Sequence, residues 1–226
     1  METSNISLNV PDVTQLNLDE YKQSFAGIHF LKNNHHDACT YEHLFSKEQC
    51  EYIIDLLTNN YSSTHAATGG NPVDQTDNDK IRKSIVRWIN PTSQTNFIYE
   101  GLKYAIDESN KQYFNFDLRG FAESLQFTEY HSSKHHYDLH KDSGTQSGAP
   151  RKLSLTVQLS DPKDYKGGDL KLLADGPNRD KKGFLTAPRA QGTVTIFPSY
   201  TYHKVTPVTE GVRYSLVAWI CGPNFK

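Results

Sequence analysis

From Glu123 onward the chain switches to short runs of period two, separated by turn residues, and keeps that habit almost to its C-terminus. This change of period restricts the possible folds more than any other feature. Leu125 and Phe127 alternate with Gln126 and Thr128. Leu153, Leu155, Val157 and Leu159 alternate with Ser154, Thr156 and Gln158. A run at 170–173 follows the turn at Gly167-Gly168, another at 193–197 stops at Pro198, and the last covers 212–220. Successive side chains of a strand point to opposite faces, so each run predicts a strand. Upstream the period is helical. Ser46-Lys47-Glu48-Gln49 has the capping-box form, and Cys50, Ile53, Ile54 and Leu57 then fall on one helical face as far as Asn59-Asn60. Phe97, Ile98, Leu102, Ala105 and Ile106 predict a second helix within 93–113, and residues 81–89 read as a strand ended by Pro91. Helices first and many short strands after them predict helices packed on a β-sandwich or barrel. The 226 residues suit one large domain. Residues 1–24 are polar and aperiodic and read as an arm, which leaves 25–226 as the single domain. The Ser-, Thr-, Gly- and Asn-rich stretch 62–80 predicts a long loop, a lid over substrate on the functional reading and plain disorder on the bland one.

Composition narrows the function classes. Lys+Arg is 24 against Asp+Glu 26, a net charge of −2, so there is no global footprint for nucleic acid or an anionic membrane. Three widely spaced cysteines, Cys39, Cys50 and Cys221, form neither a disulfide framework nor a zinc ribbon and fit a reducing compartment. The first twenty residues lack a basic cluster followed by an apolar run, and no stretch approaches a membrane span. The expectation is a soluble cytoplasmic protein. Trp88 and the many tyrosines read as core rather than as a substrate platform.

Ten histidines are present, and many cluster at 131–142. Two His-x-Asp triplets occur there, His136-Tyr137-Asp138 and His140-Lys141-Asp142. On an extended segment residues i and i+2 share a side, so one His and one Asp can hold the same metal. A distant second His would complete a two-His, one-carboxylate face with open positions, the set suited to non-haem Fe(II). A lone triplet is weak evidence, and a His-rich surface loop is its bland reading.

A second segment bears on the choice. Residues 192–199 lead into Tyr202-His203-Lys204-Val205, and Arg213 follows His203 by ten residues inside the last predicted strand. Val217 and Trp219 share its face. A buried arginine there would need an anionic partner, and its planar fork matches a carboxylate. Taken alone, Arg213 would be an ordinary edge-strand arginine.

Taken together, His-x-Asp, a distal His and an Arg ten residues on resemble the 2-oxoglutarate/Fe(II) oxygenases, in particular the prolyl 4-hydroxylase-like and PKHD-type branch. The resemblance covers about 123–222 and includes Arg151-Lys152-Leu153-Ser154, Leu159-Ser160-Asp161-Pro162, Asp164-Tyr165-Lys166-Gly167-Gly168-Asp169-Leu170 and Phe197-Pro198. It favours the second triplet, because the family's tyrosine three residues before the liganding His is matched by Tyr137 before His140. The family often has a Gly between two tyrosines here, whereas this chain has Ser133-Lys134-His135-His136, about one residue longer.

The resemblance implies a mainly β fold, a double-stranded β-helix or jelly roll buttressed by two helices. It implies Fe(II) held by His140, Asp142 and His203, and 2-oxoglutarate paired through its distal carboxylate with Arg213. Ser215, Tyr130 and Gln158 would line the co-substrate pocket, Gln158 standing where relatives can carry a tyrosine. It further implies O2 as co-substrate, ascorbate as a candidate reductant, succinate and CO2 as products, and hydroxylation of a peptidyl proline, another protein side chain or a free amino acid. Halogenases of the superfamily lack the carboxylate that Asp142 supplies. Two competing readings stay open: a cupin-like metal protein or enzyme that does not use 2-oxoglutarate, which has no need of Arg213, and a non-catalytic jelly-roll module with a vestigial site.

Overall fold

The computed structural model describes residues 37–66, 79–121, 123–143, 150–175 and 178–224. The arm expected at 1–24 and most of the loop expected at 62–80 lie outside them. The described ends of that loop hold a two-residue strand, Thr64–His65, and a helical turn at 79–81.

Two helices form where the period predicts them. In α1, Lys47–Asn60, the Ser46 side chain accepts from the Gln49 backbone N–H, and the Gln49 side chain accepts from the Ser46 N–H. Two of the orphan donors of the first turn are thereby satisfied. Helix α2 covers Asn96–Ser109 and widens into a π-helical turn, Asn110–Phe114, which Asn115 ends in the left-handed region at φ 51°. The helical run therefore starts three residues later than the 93–113 expected from periodicity and ends at Phe114, beside the expected Tyr113.

The strands are β1 (Cys39–Tyr41), β2 (Thr64–His65), β3 (Arg82–Lys83), β4 (Ile85–Ile89), β5 (Gly120–Phe121), β6 (Leu125–His131), β7 (His136–His140), β8 (Arg151–Gln158), β9 (Tyr165–Gly167), β10 (Leu170–Leu173), β11 (Phe184–Thr186), β12 (Val194–Pro198), β13 (His203–Val205) and β14 (Val208–Cys221). Among the described residues they make two antiparallel sheets. The larger runs β1-β12-β8-β14-β6-β4-β2, with β5 and β9 also paired to β14, and the smaller runs β11-β10-β13-β7-β3. The expected helix-buttressed jelly roll is the fold observed.

Period two sorts the larger sheet's side chains between two cores. Leu153, Leu155 and Val157 of β8, Leu216, Ala218 and Ile220 of β14, and Leu125 and Phe127 of β6 pack with Ile53, Leu57, Ile98 and Leu102 of the helices. The alternate residues face the smaller sheet instead, where Tyr130, Leu170, Leu172, Phe197, Val205 and Val208 form a second cluster. Polar members of that inner face, Ser154, Gln158 and Gln126, are buried rather than wet. Buried polar groups require partners, and theirs belong to the site described below.

The strand expected over 81–89 is two strands in different sheets. Arg82–Lys83 pairs with β7, whereas Ile85–Ile89 pairs with β6. The chain crosses between sheets at the buried Ser84, and this carries Arg82 to the rim of the barrel.

One buried histidine has a measurable consequence. His135, 6% exposed, sits in the turn between β6 and β7 with its ring edge-on to His131 at 5.2 Å. Its backbone is tied at both ends, to the His131 carbonyl (3.1 Å) and the Val208 N–H (3.0 Å). Its Nδ1 has no hydrogen-bond partner among the described residues. Burial, then the charges of His131 and Lys83, push its pKa down to about 4, with Asp79 opposing. A histidine that folds with a depressed pKa stays neutral while its unfolded counterpart, near 6.5, takes a proton. The unfolded state thus binds more protons between pH 6.5 and 4, and stability falls as pH drops through that window. His135→Asn should remove roughly 1–3 kcal/mol of this acid sensitivity. Urea midpoints for both proteins from pH 7 to 4 would show it as converging curves, and parallel curves would refute it.

Candidate metal centre and co-substrate pocket

Antiparallel pairing of β7 with β13 sets His140 directly opposite His203. Asp142 follows His140 by two residues, and its backbone N–H is anchored to the Ser199 carbonyl at 2.9 Å. The donor atoms of His140, Asp142 and His203 all lie within 4.8 Å of one another, the group of this kind found among the described residues. His140 Nε2 is 3.6 Å from Asp142 Oδ1, and His203 Nε2 is 3.5 Å from Asp142 Oδ2.

Each ligand-type side chain is oriented by the residues behind it. His140 Nδ1 donates to the Asp138 carbonyl at 2.7 Å, and His203 Nδ1 to the Thr201 carbonyl at 3.0 Å. A carbonyl only accepts, so the proton must sit on Nδ1 and the Nε2 lone pair is left facing Asp142. The Ser154 hydroxyl donates to Asp142 Oδ2 at 2.7 Å and is itself 2.9 Å from the Ser199 hydroxyl. Burial alone would raise the Asp142 pKa. His203, His140 and Ser154 outweigh it and hold the carboxyl well below the usual range. Burial is also the largest influence on His203 and lowers its pKa despite Asp142. At neutral pH the pair therefore stands as an ionised carboxylate and a neutral imidazole, the forms a divalent metal binds.

The other triplet is not part of this group. The His136 ring is committed to the carbonyls of Lys134 (2.9 Å) and Lys80 (3.2 Å), and Asp138 is exposed.

The three donors open into a cavity of about 130 Å³ inside the barrel. Arg213, Ser215 and Tyr130 line it as well. Arg213 is 2% exposed and lies in register with Tyr130 on the neighbouring strand, its guanidinium 5.5 Å from the Tyr130 ring centre. Its Nε donates to Gln158 Oε1 at 3.0 Å and its Nη1 to Ser215 Oγ at 3.4 Å. Among the described residues no carboxylate pairs with it. A buried cation left this way is costly unless an anion joins it. Gln158 stands behind Arg213, in a recess adjoining the main cavity rather than on its wall.

Sequence reasoning missed the cavity's mouth. Trp88, expected in the core, is 46% exposed there and lies 6.1 Å from Trp219. Every residue of β4 except Arg87 is apolar, so periodicity could not say which face was inward. Arg151 stacks over Trp219 at 4.0 Å and is neutralised by Glu123 through two bonds of 2.6 and 2.5 Å. Arg82 lies over Tyr137 at 4.5 Å and donates to Gln126 at 2.6 Å, while Tyr137 in turn stacks on His140. The position of Trp219 on the Arg213 face was legible from strand spacing, but its role at the mouth was not.

Residues 125–221 match the profile of the 2OG-Fe(II) oxygenase superfamily. A PKHD-type hydroxylase of Synechococcus sp. (strain CC9605) is 42% identical over 84 residues, 37% of this chain and 36% of that protein. One of Idiomarina loihiensis is 31% identical over 95 residues, 40% and 41% of the two chains. The matches thus span only about two fifths of the length of these curated relatives. In fold, a Pseudomonas putida prolyl-4-hydroxylase aligns over 84% of this chain and 94% of its own, with TM-score 0.62 and 18% identity. A Trichoplax adhaerens prolyl hydroxylase, solved with a hypoxia inducible factor oxygen degradation domain peptide fragment, aligns over 83% and 84%, with TM-score 0.66 and 16% identity. At these identities the structures establish the double-stranded β-helix fold alone.

Proposed function

We propose that this chain, which belongs to the 2OG-Fe(II) oxygenase superfamily through residues 125–221, is a hydroxylase that consumes O2 and 2-oxoglutarate and releases succinate and CO2. The observation that carries the reading is Arg213, a buried cation without a carboxylate partner among the described residues, in one cavity with the His140–Asp142–His203 donor set. Two imidazoles and one carboxylate suit Fe(II) and leave coordination positions open. The cupin-like alternative offers no use for Arg213.

His140, Asp142 and His203 hold the metal through Nε2, a carboxylate oxygen and Nε2. Arg213 takes the distal carboxylate of 2-oxoglutarate, with Ser215 supplying a hydroxyl beside it and Tyr130 closing the pocket wall. Bound iron with 2-oxoglutarate supplies the oxidising power for a C–H bond, and the protein supplies position and a dry cavity. The apolar inner cluster around Leu170, Phe197 and Val205 forms part of the wall of that space. The substrate approaches past Trp88 and Trp219, whose rings suit a proline or another compact amino-acid side chain presented on a peptide. The Trichoplax neighbour's bound peptide gives that choice of substrate class a precedent. Among the described residues no helix is long and apolar enough to cross a membrane. A cytoplasmic site of action and an arm at 1–24 ahead of the domain complete the reading.

The test is direct. Fe(II) and 2-oxoglutarate are added anaerobically and followed by visible absorption, then O2 and ascorbate are admitted and succinate is measured with and without proline-containing peptides and free amino acids. A weak charge-transfer band followed by slow uncoupled succinate formation is expected, with a rise on the correct substrate. Metal binding without any response to 2-oxoglutarate would sink the reading.

A further inference from the structure

The segment from Tyr165 to Asp169 grips Arg213 at two points without reaching the main cavity. At one end the Tyr165 hydroxyl accepts from Gln158 Nε2 at 3.0 Å, and Gln158 Oε1 accepts from Arg213 Nε at 3.0 Å. The amide has one workable orientation. Arginine only donates, so the amide oxygen must face it and the amide nitrogen must face Tyr165. At the other end Gly168, at φ 65°, packs its backbone against the arginine, and a Cβ there would meet Arg213 Cδ and Val208 Cγ2 at 2.9 Å. Tyr165 itself is 3% exposed and held from its far side. The Arg189 guanidinium lies 4.3 Å over its ring and is fixed by Asp169 (2.8 Å), the Gly167 carbonyl (3.1 Å) and the Tyr165 carbonyl (3.2 Å). Strand pairing sets Tyr165 opposite Gly211, two residues before Arg213. Neither Tyr165 nor Gln158 lines the main cavity, whereas Arg213 does.

We propose that Tyr165 is a positioning residue for the co-substrate: through Gln158 it fixes the Nε edge of Arg213, so that the terminal nitrogens face the cavity before a carboxylate arrives. The proposal rests on the reading that Arg213 takes the distal carboxylate of 2-oxoglutarate. An arginine side chain has several rotatable bonds, and a binder that arrives pre-ordered loses less entropy on association. Without the tyrosine hydroxyl, Gln158 keeps only a 3.4 Å contact from its Nε2 to the Ser160 carbonyl, and its grip on Arg213 slackens.

The test uses the full chain loaded anaerobically with Mn(II), in wild type, Tyr165→Phe and Gln158→Glu forms. Calorimetry gives the Kd for Mn(II) and for 2-oxoglutarate, and thermal unfolding gives Tm. Tyr165→Phe is expected to weaken 2-oxoglutarate by about three- to tenfold, the size of one neutral hydrogen bond, with metal Kd and Tm unchanged. Gln158→Glu places a carboxylate beside Arg213 and is expected to weaken 2-oxoglutarate more than about 100-fold while Mn(II) still binds. A fall in Tm of Tyr165→Phe with its 2-oxoglutarate Kd intact assigns the tyrosine to packing and overturns the proposal, as does no change at all. Wild type that binds Mn(II) but no 2-oxoglutarate overturns the underlying function, and the relay with it.

Discussion

Asp142→Asn should abolish turnover and weaken divalent metal binding by more than about 100-fold, with little effect on the unliganded fold. The substitution keeps the shape of the side chain and removes its charge. The Ser154 hydroxyl can still donate to the amide oxygen, so the anchorage now seen at Asp142 Oδ2 survives. What is lost is the anion that faces the Nε2 atoms of His140 and His203 at 3.6 and 3.5 Å. A metal ion brings two positive charges into a cavity already lined by Arg213 and Arg82, and Asp142 is the carboxylate in the donor set that offsets them. Ser154→Ala provides the graded companion, because it removes only the hydrogen bond that orients the carboxylate and should cost about 10- to 100-fold in metal affinity. Mn(II) titration by calorimetry or spin resonance measures both. Equal metal affinity in wild type and Asp142→Asn would show that these three residues do not form the metal site.

Much of this site was legible in the sequence because its chemistry imposes spacing. His140 and Asp142 must share a side of an extended segment, and Arg213 had to be an arginine inside an apolar strand to attract notice. The capping box at Ser46 and the alternation in β8 and β14 were legible for the same reason, since each is local. Four things were not, and all depend on which neighbour a strand finds. Alternation in β8 shows two faces but not that Ser154 and Gln158 point into a barrel. Nothing around Ser84 marks the crossing between sheets. Trp88 looks like core because its strand is apolar on both faces. The choice between His136-Tyr137-Asp138 and His140-Lys141-Asp142 came from family resemblance, and the structure separates them through pairing, since His140 lies opposite His203 whereas His136 pairs with Lys83.

Arg213→Met should lose 2-oxoglutarate and cost the unliganded protein little or no stability. Removing one member of a buried charge-assisted pair costs about 2–5 kcal/mol of binding, which is about 30-fold to several thousandfold in Kd. Methionine has the length to fill the channel beside Gly168 and Val208 but offers no donor. The small effect on folding comes from the same physics. In the absence of co-substrate Arg213 is a cation with 2% exposure, whose contacts among the described residues are an amide oxygen, a distant hydroxyl and the Tyr130 ring rather than an anion. Replacing such a charge by an apolar side chain of similar volume is neutral or stabilising by about 1–4 kcal/mol. Against that gain stand the unpaired Gln158 oxygen and Ser215 hydroxyl, about 1 kcal/mol each. The balance is about −1 to +2 kcal/mol, which puts the variant's Tm between about 4 °C below and about 8 °C above that of wild type at about 2–4 °C per kcal/mol for a chain of this size. Addition of Mn(II) and 2-oxoglutarate should then raise wild type well above the variant, because ligand that binds only the native state stabilises wild type and loses its cationic partner in the variant. Thermal unfolding with and without ligands reads all four states. A variant more than about 5 °C less stable than wild type before any ligand is added would make Arg213 a structural residue, and the case for a 2-oxoglutarate pocket would lose its support.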